Sequence, residues 1–291
     1  MKAVPMMQVK IRPGCITAGV VNIGPRSASA DKVRGSVESF TDSSRRRLLS
    51  WLACAKPSYR IMVTLTVPHL EKDGAVFKNR LDRFLVAVMR NAPENGSVTW
   101  FLEFQKRGAP HVHMLTNFKI KKDWVAEKWT RLWEERLKDL LGHTGGETAA
   151  IHMRNASTRV EWLRSASVMK KYASKYSAKT NQKEVPEDYA HVGRFWGIRG
   201  DRTRVAAATY RKRCYGRFDG FPGDVIRLFW IRFNRFLMDK ERFKVYRWEK
   251  GSGVTVYFSD DSTEAVKQAL MIILDDFDFE EVVCDVCMPE A

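Results

Sequence analysis

The sequence lacks long apolar runs. No stretch approaches the roughly 18 consecutive apolar residues that a membrane-spanning helix requires. Nothing resembling a signal peptide opens the chain, so no secretion is indicated. We therefore expect no membrane contact, and we expect the protein to work in the cytoplasm of the cell that makes it.

Cysteines are few, and several familiar motifs are missing. An odd, scattered set of cysteines argues for a reducing compartment and against a disulfide framework. Cys284-Asp-Val-Cys287 has zinc-ligand spacing, but no second pair or nearby histidine completes a site, so we interpret these thiols as incidental. There is no internal repeat and no GxxxxGK[ST] loop, which argues against an ATP-driven motor. The five cysteines are Cys15, Cys54, Cys214, Cys284 and Cys287.

Negative charge is scarce outside the last part of the chain. The formal net charge is +16 over 291 residues, and Ser259–Ala291 contributes ten acidic residues and one lysine, a net of −9. The preceding 258 residues therefore carry +25. Such a charge attracts polyanions, which favours a basic enzyme body on a polynucleotide over a merely solvated surface. The acidic end either shields that body, binds a partner, or is an ordinary solvated helix and strand.

The apolar pattern predicts an α+β fold, a mostly antiparallel sheet with helices packed against it. Residues 1–36 have the proline and glycine content of a loose, turn-rich segment. A capping box at Thr158–Glu161 predicts a helix that lasts to about Lys179. The other predicted strands are 60–67, 97–105, 110–117, 149–154 and a pair within 243–258. A further helix is predicted to begin at residues 41–43 and to run through 45–55. The remaining predicted helices are 76–90, 122–141 and 224–238.

The predicted hairpin carries a candidate metal site. His111 and His113 point the same way because side chains alternate across a strand. With Lys106-Arg107-Gly108 as the loop, Glu103 faces His111; a loop two residues longer places it opposite His113 instead. Two imidazoles and a carboxylate leave open positions that suit Mn²⁺ or Mg²⁺, with zinc as an alternative. Gln105 shares this face and is expected to orient a ligand.

A tyrosine-rich stretch follows about sixty residues later. Tyr172, Lys175, Tyr176 and Lys179 are spaced so that all four line one helical stripe. A phenol is a weak nucleophile at its usual pKa near 10, but adjacent positive charge favours the phenolate, which can attack phosphorus. Without the metal hairpin, the same pattern describes an ordinary basic amphipathic helix.

In order and spacing, these motifs resemble those of the HUH endonuclease superfamily, specifically rolling-circle replication initiators of single-stranded-DNA phages and related plasmids. The resemblance covers about residues 58–200. Its first motif is Val63-Thr-Leu-Thr-Val67, followed by His111-Val-His113 with Glu103 on the preceding strand. The third is Tyr172-Ala-Ser-Lys175, with the Tyr176 and Lys179 of the two-tyrosine branch; Gly193-Arg-Phe-Trp-Gly197 is also similar to a later segment of these initiators.

The resemblance implies a central five-stranded antiparallel sheet of the ferredoxin-like type. It implies nicking of one strand at a replication origin, a 5′-phosphotyrosine link, and a free 3′-hydroxyl that primes host polymerase. The host's helicase would unwind the duplex in the cytoplasm of a bacterial host. In a single-tyrosine branch, Tyr176 would be structural only. The implied domains are 1–57 (an extension and the first helix), 58–200 (the HUH endonuclease domain) and 201–291 (a smaller α+β region with an acidic tail).

Further DNA contacts are predicted where aromatic residues alternate with arginines. Exposed Phe195 or Trp196 could stack on bases while arginines hold phosphates, although a core position is as good an interpretation for Trp196. Two other functions stay open: a transposase or mobilisation relaxase of the same superfamily, and a non-catalytic single-strand-binding protein. The candidate DNA-binding residues are Arg194, Phe195, Trp196, Arg199, Arg202 and Arg204.

Overall fold

The computed structural model describes residues 4–23, 37–67, 71–163, 184–204, 207–213, 222–236, 247–250, 253–258, 262–275 and 280–284. Within these residues the chain forms eleven strands and six helices. It divides into two compact units. One comprises Arg34–Leu49 and Ala55–Thr203, and the other comprises Met1–Val33, Ser50–Cys54 and Arg204–Ala291.

The elements begin with two strands and then alternate irregularly between strands and helices. Up to residue 200 they are β1 (Val4–Arg12), β2 (Cys15–Ile23), α1 (Asp42–Cys54), β3 (Ile61–Thr66), α2 (Gly74–Arg90), β4 (Ser97–Phe104), β5 (Pro110–Thr116), α3 (Lys122–Arg131), α4 (Glu134–Ala156), β6 (Thr158–Trp162) and β7 (Trp196–Gly200). The remainder are β8 (Ala207–Arg213), α5 (Pro222–Phe236), β9 (Arg247–Lys250), β10 (Gly253–Tyr257), α6 (Thr263–Asp275) and β11 (Glu280–Cys284).

A five-stranded sheet organises the first unit. Its strand order is β6-β3-β5-β4-β7, and every neighbouring pair is antiparallel. The predicted α+β fold with a five-stranded antiparallel sheet is therefore confirmed. Because side chains alternate across each strand, one face carries Val63, Val112 and Leu102, all fully buried. The opposite face carries the polar residues of the candidate site.

Aromatic side chains of α2 and α3 pack on the apolar face of this sheet. Asp73 caps α2, its carboxylate accepting a hydrogen bond from the amide of Ala75 at 2.8 Å. Phe77 and Phe84 of that helix contact Trp129 of α3 edge to face, with ring centroids 6.2 and 5.5 Å apart. All three rings are fully buried, which is worth about 1.5–3 kcal/mol for a side chain of this kind.

One helix prediction and one strand prediction need correction between residues 122 and 156. The predicted single helix 122–141 is two helices, because α3 ends at Arg131 and α4 begins at Glu134. The predicted strand 149–154 lies inside α4, which continues past a kink at Gly142 (φ 72°). Six residues are too few to define a period, and their alanines favour helix. Burial of Met153 against the core then stabilises the helical form.

The capping-box prediction at Thr158–Glu161 is wrong, because these residues belong to β6. This strand pairs with β3 in the register Val63↔Val160 and Thr64↔Arg159. A capping box is a local signal, whereas threonine, valine and tryptophan suit a strand when a partner is available. The rest of that predicted helix, from residue 164 to Lys179, lies outside the described residues.

The second unit contains a six-stranded sheet in the order β11-β8-β1-β2-β10-β9. The prediction that residues 1–36 are loose is wrong for Val4–Ile23, which forms the hairpin β1–β2 across a turn at Gly14 (φ 69°). Alternating Met7, Val9 and Ile11 are buried against α5 and α6, a period-two signal that the nearby prolines obscured. The predicted helix 224–238 and the strand pair within 243–258 are confirmed.

Among the described residues, none of the helices has the length and apolar character needed to cross a membrane.

Candidate active site

The hairpin β4–β5 presents Glu103, His111 and His113 on the polar face of the sheet. Glu103 pairs with His111 and Phe101 with His113. The loop is Lys106-Arg107-Gly108, closed by a hydrogen bond from the Gln105 amide to the Ala109 carbonyl at 2.9 Å. Gly108 has a φ of 82°, as a three-residue hairpin loop requires. The shorter of the two predicted loops is thus confirmed.

The three side chains lie close together, in surroundings that exclude most water. The rings of His111 and His113 have centroids 4.6 Å apart and are nearly perpendicular. Nε2 of His113 lies 3.6 Å from Oε2 of Glu103, just beyond hydrogen-bonding distance. Glu103 is 4% exposed and His113 is 7% exposed, while His111 is half-buried.

Among the residues that the structure describes, one carboxylate oxygen of Glu103 has no hydrogen-bond partner. Oε1 is buried, and within the described part of the chain it makes no hydrogen bond. A buried acceptor without a partner typically costs about 1–3 kcal/mol. Such a group in a native structure calls for an explanation, and an ion that it binds is one of them.

Two threonines of β3 contact the histidines from the neighbouring strand. Thr64 is paired with His113 and Thr66 with His111. The Oγ1 of Thr64 lies 3.2 Å from Nδ1 of His113, and that of Thr66 lies 2.9 Å from Nδ1 of His111. Both contacts engage Nδ1 of the ring rather than Nε2. The sequence pattern Thr-Leu-Thr on an apolar strand is the signal for this pairing. From the sequence alone, neither threonine was predicted to act at the site.

Gln105 and Arg107 border the same histidine. Nε2 of Gln105 lies 3.4 Å from Nδ1 of His111, and Oε1 of Gln105 accepts a hydrogen bond from Nε of Arg107 at 2.9 Å. Arg107 also donates from Nη2 to the carbonyl of Val67 at 2.6 Å. The structure therefore places Gln105 against a predicted ligand, and Arg107 is a neighbour that the residue pattern did not reveal.

Burial keeps His111 neutral. Desolvation, together with the nearby His113 and Arg107, lowers the pKa of His111 to about 4. An imidazole binds metal only in its neutral form, so His111 is available as a ligand throughout the neutral range.

The described side chains do not form a ready-made metal cage. Among the residues with described positions, no group of three or more His, Cys, Asp or Glu side chains is arranged to hold an ion. The donor set nevertheless fits one, because it offers two imidazole nitrogens and an unpartnered carboxylate oxygen on one face.

The predicted nucleophile and its companions cannot be placed. Tyr172, Lys175, Tyr176 and Lys179 lie outside the described residues. The chain on the near side of that gap is anchored, because the amide of Leu163 donates to the carbonyl of Arg60 at 2.7 Å. The catalytic roles of the two tyrosines and two lysines stay predictions.

The predicted base-stacking residues are already engaged within the protein. Phe195 is 3% exposed and packs against Phe40 with ring centroids 5.4 Å apart, so the prediction that its ring is exposed for a base is wrong. Trp196 is half-buried and donates from Nε1 to Oγ of Ser44 at 3.0 Å. Its contact with DNA stays a prediction.

The predicted phosphate-binding arginines differ in what they contact. Arg199 pairs with Asp82 of α2, and Arg202 donates to the carbonyl of Ile198 at 3.3 Å. Arg204 donates to the carbonyl and hydroxyl oxygens of Ser50 at 3.0 and 2.9 Å, and its guanidinium is half-buried. Arg194 is exposed. Arg199 and Arg202 are exposed as well, so three of the four side chains are accessible to a phosphate.

Residues 60–181 match the model of a family of replication-associated proteins, a stretch that covers less than half of the chain. The match supports a role in the initiation of DNA replication, and hence contact with DNA. It includes β3 to β6 and therefore the Glu103, His111 and His113 site. No curated protein and no solved structure gives a significant match to the chain.

Proposed function

We propose that this protein is a metal-dependent, site-specific single-strand DNA endonuclease and strand transferase that starts rolling-circle replication. The observation that carries the proposal is the shared face of Glu103, His111 and His113, inside the stretch that matches a replication-associated family. The unpartnered oxygen of Glu103 supports it, because a bound cation would supply the missing partner. Residues 1–258 carry +25, which suits a DNA substrate.

Glu103, His111 and His113 would hold Mn²⁺ or Mg²⁺, with zinc as the alternative. When bound, the ion would supply Lewis-acid polarisation of the scissile phosphate and neutralise charge in the transition state. Gln105 and the threonines of β3 contact the rings of the two histidines and would keep them in place. The buried carboxylate of Glu103 would keep water out of the coordination shell on its side.

The chemistry of the nick rests on the sequence motif. The phenolate oxygen of Tyr172 would attack phosphorus as the bond to the 3′ oxygen breaks, which gives a 5′-phosphotyrosine and a free 3′-hydroxyl. Lys175 would stabilise charge on the departing oxygen. Tyr176, with Lys179, would act in the same way on a second strand, and the reverse attack by a 3′-hydroxyl would rejoin the ends. Host polymerase would then extend the free end, and host helicase would unwind the duplex.

A covalent-adduct assay tests this function. The protein is incubated with an origin-like single-stranded oligonucleotide and Mn²⁺, and the mixture is run on a denaturing gel. We expect an adduct that EDTA prevents and that the double substitution Tyr172→Phe, Tyr176→Phe abolishes. Tyr189→Phe is the matched control, because the Tyr189 hydroxyl is buried and, among the described groups, has no hydrogen-bond partner. An adduct that survives the double substitution disproves the nucleophile.

A second substitution tests the metal site separately. His111→Ala should reduce cleavage by orders of magnitude, whereas His152→Ala should leave the rate unchanged because His152 is exposed on α4. Full cleavage by His111→Ala would disprove the metal assignment. A transposase or mobilisation relaxase of the same superfamily would give the same adduct, and its own recognition sequence would distinguish it.

The second candidate function is a non-catalytic single-strand-binding protein. The observation that favours it is the lack, in the described part of the chain, of a preformed three-ligand cluster. This candidate predicts reversible, salt-sensitive binding of the oligonucleotide and no adduct under any metal condition.

A further inference from the structure

We propose that Thr64 and Thr66 are positioning residues that present the Nε2 atoms of His113 and His111 to the metal. The inference rests on the proposed metal function and adds two residues to it. The Oγ1 of each threonine lies within hydrogen-bonding distance of Nδ1 of the histidine directly across the strand pair, and in the arrangement we propose Nδ1–H donates to it. That bond fixes the ring and leaves the lone pair on Nε2.

The register supports this role, because the contact occurs twice. Thr64↔His113 and Thr66↔His111 are successive same-face pairs of β3 and β5, and both bring Oγ1 to Nδ1, at 3.2 and 2.9 Å. Leu65 and Val112 between them point to the opposite face and are fully buried, which prevents a slip of either strand. One such contact could be incidental, whereas two in register bring Nδ1 of both rings to a threonine hydroxyl.

The backbone of Thr66 is held from outside the sheet. Its amide donates to the carbonyl of Ser157 at 2.9 Å, and its carbonyl accepts from Nε1 of the buried Trp129 at 2.9 Å. Its hydroxyl therefore starts from a fixed position. This matters because outer-shell partners of histidine ligands set the tautomer only if they are rigid themselves.

Tautomer choice is the physical content of the proposal. A neutral imidazole has one N–H, so a ring that donates from Nδ1 carries its free lone pair on Nε2. Valine in place of threonine removes the acceptor and keeps the shape. Gln105 provides an opposing contact, because its amide nitrogen, 3.4 Å from Nδ1 of His111, can only donate. Its orientation is fixed by Arg107, which donates to Oε1 of the same side chain. Thr66, at the shorter distance, competes with Gln105 for that nitrogen.

Because Thr66 and Gln105 both contact Nδ1 of His111, we expect opposite effects when each of them is replaced. Thr66→Val should weaken Mn²⁺ binding about 10- to 100-fold, the usual effect of losing such a partner. Gln105→Met should leave binding unchanged or strengthen it. A merely structural role would give losses for both. Thr66→Ser, which keeps the hydroxyl, should restore binding to near the wild-type level, and the same series applies at Thr64.

Nitrogen-15 NMR of the histidine rings in the metal-free protein measures the tautomer directly. We expect Nδ1–H in both His111 and His113 of the wild type, and a shift towards Nε2–H in the corresponding valine variant. Calorimetric titration with Mn²⁺ and with Zn²⁺ then measures affinity. Wild-type rings that carry Nε2–H, or valine variants with unchanged tautomers, would overturn the proposal. A wild type that binds neither ion refutes the metal function, whereas the NMR result still decides what the threonines do.

Discussion

Glu103→Gln should make the metal-free protein more stable and reduce its stabilisation by metal. In the structure the Glu103 carboxylate is buried, one oxygen lacks a partner, and the other lies 3.6 Å from Nε2 of His113. Glutamine keeps the shape and replaces one acceptor by an amide donor. An amide nitrogen at the position of Oε2 can donate to Nε2 of His113, so the variant removes a buried negative charge and gains a hydrogen bond, while the other oxygen stays an acceptor.

The sizes of the two effects can be estimated separately. A hydrogen bond gained inside a protein is worth about 0.5–1.5 kcal/mol, so we expect the variant to gain roughly 1 kcal/mol of stability in EDTA. Wild type should gain about 2.7 kcal/mol when Mn²⁺ is present at about one hundred times its dissociation constant. A tenfold loss of affinity in the variant would reduce that gain by about 1.4 kcal/mol. The order of stabilities should therefore reverse between EDTA and Mn²⁺.

Scanning calorimetry in EDTA and in Mn²⁺ measures both effects. For a unit of 150–250 residues, 1 kcal/mol corresponds to about 2–4 °C in Tm, which is well resolved. Glu127→Gln is the matched control, because the Glu127 side chain is 56% exposed on α3 and should change neither value. A variant that is less stable than wild type in EDTA would refute the expected gain from the glutamine amide. An unchanged shift with Mn²⁺ would show that Glu103 is not a ligand.

Three further predictions concern charge and pH. Arg136→Met leaves the buried Glu71 carboxylate (3% exposed) without the guanidinium that lies 2.8 Å from it. The free energy of unfolding, measured in urea, should fall by about 3–5 kcal/mol. A loss under about 1 kcal/mol contradicts this. Burial lowers the pKa of Lys78 from 10.5 to about 7, so the preference of the unfolded chain for the proton opposes folding increasingly as pH falls from 10.5 to 7, and to its full extent below pH 7. Lys78→Met should therefore stabilise most at pH 6, with a gain that shrinks towards pH 10; a gain independent of pH argues against it. The pKa of His111 is lowered to about 4 from 6.5, so stability should fall by up to about 3 kcal/mol as pH drops through that range. His111→Gln should flatten that part of a denaturation profile, and a profile as steep as wild type would exclude His111 as the cause.

The sequence was sufficient to place the central hairpin and its site residues. Gly108 between two alternating apolar segments predicted the two strands and a loop between them. A loop with an odd number of residues then places Glu103 on the same face as the two histidines. These are local signals, since a turn and a period of two specify a hairpin without any knowledge of the rest of the chain.

The remaining errors come from contacts between distant parts of the chain. The strand partner of Val160 is Val63, almost a hundred residues away, and it overrides a local helix signal at Thr158. The partner of Val9 in β8 is Tyr210, about two hundred residues away, and no local pattern of residues 4–23 identifies it. Phe195 was misplaced for a similar reason, because its burial depends on Phe40 rather than on its arginine neighbours.

Side chains alternate between the two faces of the sheet, so the strands that pack against the helices on one face also set the geometry of the site on the other. Alternate residues on a strand lie about 6.8 Å apart and neighbouring strands about 4.8 Å apart, so side chains from adjacent strands can converge on one point. Glu103 sits between the buried Leu102 and Phe104, and Val112 sits between the two histidines. Each apolar side chain that packs against α2 and α3 therefore fixes the direction of the polar residue beside it. A backbone shift that moved Glu103, His111 or His113 would therefore also expose the core.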